Sequence, residues 1–88
     1  MNNQTKPTTQ VLLKHKEHQN INDFADMLMK IATKLKEEGK FTFVQGEEPI
    51  LIDPSQQIKV EYEYEVKGNK HSFEIEFDWY VGEDAPKK

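Results

Sequence analysis

The sequence predicts an α+β domain in which one amphipathic helix packs on the apolar face of a mostly antiparallel, five-stranded sheet in the order β-α-β-β-β-β. Apolar residues recur at alternating spacings of three and four over 21–35. From residue 41 onward the period switches to two, and two long alternating runs meet at a Gly68-Asn69 turn. With 88 residues there is room for one core only. A domain this small buries only about 60 to 65% of the surface its unfolded chain exposes, so size alone makes a homodimer an option. The expected organisation is a disordered tail over 1–8, one domain over 9–81 and a second disordered tail over 82–88, since both ends are polar and aperiodic.

The first element expected is a strand over 11–18. Leu12, Lys14, Lys16 and His18 fall on one face, and Val11, Leu13 and His15 on the other. A helix follows at about 21–38, because Ile21, Phe24, Leu28, Ile31 and Leu35 share one stripe. Asn20 is a suitable N-cap, Asp23 and Asp26 complement the positive end of the helix dipole, and Lys34 and Lys36 complement the other. Gly39 supplies a residue able to turn left-handed after the last turn. Two short strands, 40–45 and 49–53, flank a Gly46-Glu47-Glu48 turn and form a hairpin.

The strongest strand pair comes last. Ile58, Val60, Tyr62, Tyr64 and Val66 alternate with charged residues, as do Phe73, Ile75, Phe77 and Trp79. With Gly68 and Asn69 as the two loop residues, Tyr64 faces Phe73, Tyr62 faces Ile75, Val60 faces Phe77 and Ile58 faces Trp79. The helix stripe is expected to cover this apolar face. The same register sets Glu63 opposite Glu74 and Glu61 opposite Glu76, which is unfavourable. If the 11–18 strand lies beside the hairpin, Lys14 and Lys16 fall among those glutamates.

Composition removes several function classes. The absence of cysteine rules out disulfides, thiolate metal sites, iron-sulfur clusters and thiol nucleophiles, and fits a reducing compartment, so the cytoplasm is the expected location. Residues 1–10 have no apolar h-region, and no apolar run nears the ~20 residues of a membrane span, so neither a signal peptide nor a membrane segment is expected. The net charge of −4 repels polyanions, and nucleic acid is not an expected partner.

The alternating apolar and acidic C-terminal strand that ends at Trp79 resembles the feature that names the amphi-Trp domain family of small prokaryotic proteins. The resemblance runs from about Leu12 to Tyr80: a charged strand, an N-capped helix (Asn20, Asp23, Ala25), a Glu38-Gly39-Lys40 exit, Pro54 before the long hairpin, and Trp79. At the position after Asn20, where the family tends to carry a basic residue, this chain has Ile21. What the resemblance implies is the architecture and a bacterial or archaeal origin, with no activity to transfer.

The candidate functional surface is the acidic face of the last hairpin: Glu61, Glu63, Glu65, Glu74, Glu76 and Asp78, with Tyr80 as a candidate contact. Its plainest reading is a solvated sheet face balanced by Lys14, Lys16, Lys59 and Lys70; its functional reading is a docking surface for a basic protein partner. The alternative is a ligand-binding or metal-binding domain, or a weak enzyme, using those carboxylates. Against it, a flat face has neither the curved loop of a calcium site nor the cleft of a glycosidase.

His15 and His18 point to opposite faces if extended, and His71 sits beside the turn, so no metal site is expected. Trp79 is in phase with Phe73, Ile75 and Phe77 and is expected to close one end of the core. The two serines, Ser55 and Ser72, lack a nucleophile elbow, and no phosphate-binding glycine motif occurs. The sequence therefore points to a non-enzymatic interaction or structural module without cofactors.

Overall fold

The computed structural model describes residues 8–82, so the expected tails over 1–8 and 82–88 lie almost wholly outside the described residues. One helix, α1 (Ile21–Glu38), precedes four strands: β1 (Phe41–Phe43), β2 (Ile50–Ile52), β3 (Lys59–Lys67) and β4 (Lys70–Asp78). The class is α+β with antiparallel pairing throughout.

The helix ends where local chemistry places them. Asn20 is extended (φ −80°, ψ 165°), and its Oδ1 accepts from the Asp23 N–H at 2.8 Å while its Nδ2 donates to Asp23 Oδ2 at 3.1 Å. Gly39 is left-handed (φ 75°), and its N–H donates to the Leu35 carbonyl at 2.9 Å. Lys34 Nζ donates to Glu38 Oε2 at 2.9 Å one turn on. Asn20→Ala is expected to cost about 1 kcal/mol of stability and Asn20→Asp close to nothing, measured by urea unfolding.

The strands form two separate two-stranded sheets, β1-β2 and β3-β4. β1 and β2 pair as Phe41↔Ile52, Thr42↔Leu51 and Phe43↔Ile50, which puts Phe41, Phe43, Ile50 and Ile52 on one face. These strands are shorter than the expected 40–45 and 49–53. In β3-β4 the register is the one the alternation predicts: Tyr64↔Phe73, Tyr62↔Ile75, Val60↔Phe77, Glu63↔Glu74 and Glu61↔Glu76. Gly68 provides the positive φ of the turn, at 58°.

Three expectations are corrected. Among the described residues there are four strands in two sheets rather than one five-stranded sheet. Residues 11–18 form no strand. Leu13 instead reaches Gly46, where an added Cβ would lie 3.2 Å from its Cδ1, and the His15 ring meets the Phe43 ring edge-on at 5.9 Å. The segment therefore runs by the short hairpin, and its single apolar alternation, rich in Lys, His and Glu, is too weak to hold a ladder on its own. Lys14 and Lys16 make no ion pair among the described residues, whereas His15 bonds locally to Glu17 at 2.7 Å.

The third correction concerns the helix. Its only close neighbour among the strands is β1, because a turn at Gly39 and Lys40 leads straight from the helix into that strand. Met27, Ile31 and Leu35 are half-buried on the helix, as are Phe41, Phe43, Ile50 and Ile52 on the short hairpin. Only the C-terminal end of the helix approaches the long hairpin: Leu35 and Gly39 face Ile58, Val60 and Phe77 across a cleft of about 370 Å³. The expected cover of the whole β3-β4 face by the helix is not made. No described residue is buried, and Phe24 and Leu28 on the helix stripe remain 42% and 41% exposed.

Candidate functional site

The long hairpin has two chemically opposite faces, and pairing geometry creates both. Because side chains alternate along each strand, Glu61, Glu63 and Glu65 share one face with Glu74, Glu76 and Asp78. Lys59 opposes Asp78 at the base and Lys67 opposes Lys70 at the tip, so the acidic patch is bounded by lysines at both ends. All of these side chains are exposed. Two directly opposed glutamate pairs, Glu61↔Glu76 and Glu63↔Glu74, lie in the middle with no salt-bridge partner among the described residues.

The electrostatic consequence is visible at Glu63. A hydrogen bond with the Glu65 carboxyl, followed by repulsion from Glu65, Glu74 and Glu61, pushes its pKa above the ordinary 4.5. The folded state thus holds this proton more tightly than the unfolded chain does. Its contribution to stability is present below 4.5 and is lost as pH rises through the raised value. Glu63→Gln is therefore expected to melt slightly above the wild type at neutral pH, with the gap closing on acidification through that window. Thermal melts across pH check it, and an unchanged gap would contradict the assignment.

Tyr80 lies beyond the end of β4. β4 ends at Asp78, and the backbone carbonyl of Tyr80 accepts from Ser55 Oγ at 2.8 Å, so the chain is pinned to the Pro54-Ser55 linker just past the strand. The Tyr80 side chain is 59% exposed beyond the end of the ladder. Trp79 is half-buried and stacks on Phe77, with ring centroids 5.8 Å apart and planes 25° from parallel, at the same end of the hairpin.

The opposite face carries Val60, Tyr62, Tyr64, Val66, Phe73, Ile75 and Phe77, and it is open to solvent over most of its length. Here the structure adds a pair the sequence reading missed. Tyr64 Oη and His71 Nδ1 lie 2.6 Å apart, so two of the three polar side chains on this face satisfy each other, and the third, Tyr62, is 69% exposed. The signal was available, since Tyr64 and His71 are diagonal neighbours on one face once the turn is placed at Gly68-Asn69. His15 and His18 lie far along the chain from His71, and among the described residues no group of three or more His, Asp or Glu side chains is placed to hold a metal ion. Also among the described residues, no helix is long and apolar enough to cross a membrane.

A small α+β unit with an amphipathic hairpin ending at a tryptophan is the class of domain these features define. The amphi-Trp domain family model matches residues 6–88, nearly the whole chain, and the protein belongs to that family. No curated protein and no solved structure matches it.

Proposed function

We propose that this amphi-Trp domain is a non-enzymatic protein-interaction module that presents the acidic face of β3-β4 to a lysine- or arginine-rich partner in the cytoplasm. The observation that carries the reading is the two pairs of directly opposed glutamates, Glu61↔Glu76 and Glu63↔Glu74, held side by side with no salt-bridge partner among the described residues. Such an arrangement costs stability in the free protein and is relieved by any cation that settles between the strands. A basic segment laid across the face would supply several at once. The flat, exposed geometry suits docking better than chemistry, which needs convergent polar groups in a concavity. A chain without cysteine fits a reducing compartment.

The test is titration with an oligolysine peptide at low and high salt. Wild-type protein is expected to bind and to lose affinity as salt screens the charges. The combined variant Glu61→Gln, Glu63→Gln, Glu74→Gln, Glu76→Gln should bind far more weakly. Glu47→Gln with Glu48→Gln, which removes acid from the β1-β2 turn instead, should bind like wild type. Equal weakening by both sets would mean that net charge, not this face, attracts the peptide.

A further inference from the structure

The chain leaves too much apolar surface open for a self-sufficient fold. None of the described residues is buried, so apolar surface that a compact fold would hide stays open. Two of the open apolar surfaces are contiguous stripes on regular elements. On the long hairpin, Tyr62, Tyr64, Phe73 and Ile75 are 69%, 62%, 62% and 54% exposed. On the helix, Ile21 is 75% exposed and Phe24 and Leu28 about two-fifths, all toward the N-terminal half.

These surfaces match in chemistry and do not meet within one chain. The helix approaches the hairpin only at its C-terminal end, by Leu35, whereas the hairpin's strands of nine residues reach about 30 Å. From this geometry we infer that the apolar face of β3-β4 docks on a second copy of the same chain, the hairpin of each copy covering the open helix stripe of the other. A two-fold arrangement makes both contacts at once and closes, leaving neither surface free to propagate.

The interface is large enough. At about 150 to 250 Å² for each fully buried aromatic, the exposed fractions amount to roughly 400 Å² on the hairpin. The exposed fractions of Ile21, Phe24 and Leu28 add roughly 300 Å² on the helix stripe, which brings the total over both copies to roughly 1,400 Å², within the range of a standard stable interface. Its chemistry also permits desolvation. All the β3-β4 carboxylates lie on the other face, and the Tyr64 hydroxyl and the His71 ring pair with each other, so docking buries no carboxylate from the hairpin and leaves one hydroxyl, that of Tyr62, to find a partner in the interface or at its rim. The acidic face stays outward, which makes this association independent of any basic partner. The helix over the hairpin's apolar face, expected within one chain, is then formed between two.

The test is the mass of the full chain by light scattering during gel filtration. Wild type is expected at twice 10.4 kDa, dissociating on dilution, and a monomer at every concentration would overturn the inference. Tyr64→Lys and Phe73→Lys, each checked for wild-type helical circular dichroism, should run as monomers. Glu63→Gln, on the acidic face, should remain a dimer. A folded Phe73→Lys protein that is still dimeric would place the contact elsewhere and refute it. Loss of oligolysine binding with the dimer intact would overturn only the acidic-face reading.

Discussion

Phe77→Ala is expected to lower the unfolding free energy by roughly 2 to 4 kcal/mol, somewhat below the cost of emptying a fully buried phenylalanine site. Phe77 is half-buried, paired across the ladder with Val60, stacked on Trp79, and on the wall of the cleft that Leu35 faces. It therefore joins three parts of the chain: the base of the long hairpin, the C-terminal segment and the end of the helix. Removing the ring withdraws a stacking partner from Trp79 and widens a gap that is already imperfectly filled. In a domain whose total stability is on the order of 5 to 15 kcal/mol, that is a large fraction. Urea unfolding followed by Trp79 fluorescence checks it, and the native emission of the variant should also change. A midpoint equal to that of wild type would mean that the stack carries no energy.

Leu28→Ala is the second large effect, and its size depends on the state of association. Within one chain Leu28 is 41% exposed, so truncation there should cost well under the 2 to 5 kcal/mol of a buried leucine. Under a partner's hairpin it is covered, and the cost rises to about 2 to 3 kcal/mol. Mass action makes wild-type stability increase with protein concentration, since only the folded pair forms the interface. The difference between wild type and Leu28→Ala should accordingly widen with concentration. Melting curves over a dilution series test it, and a small difference that is the same at all concentrations would contradict the shared interface.

Local rules made much of this fold readable. The helix ends were legible because Asn20 and Gly39 each satisfy a specific backbone requirement, and the β3-β4 register because a two-residue turn admits only one pairing that keeps apolar residues together. The acidic face followed from that register. Its composition was visible in the sequence, but the end of β4 was not. Tyr80 continues the alternation on paper, whereas the ladder stops at Asp78 and the Tyr80 carbonyl accepts from the Ser55 hydroxyl beyond it.

What was illegible depends on which faces meet in space. Residues 11–18 alternate as a strand would, but Leu13 and His15 find Gly46 and Phe43 on the short hairpin rather than a strand edge. The helix stripe was correctly identified as needing a cover. Its period does not state which surface provides the cover, and the short exit at Gly39 brings the helix against β1 while Leu35, near its end, faces the base of the long hairpin. Phe24 and Leu28 are left open by the same geometry.

The central claim is that the apolar face of the long hairpin is covered by another copy's helix and not by its own. Isotope-filtered nuclear Overhauser spectra on an equimolar mixture of labelled and unlabelled chain address it directly. The account predicts contacts between the Phe24 or Leu28 side chains and those of Tyr62, Tyr64, Phe73 or Ile75 that pass the filter, and so arise between two molecules. Contacts between the same residues confined to a single molecule, or no such contacts at all, would contradict it.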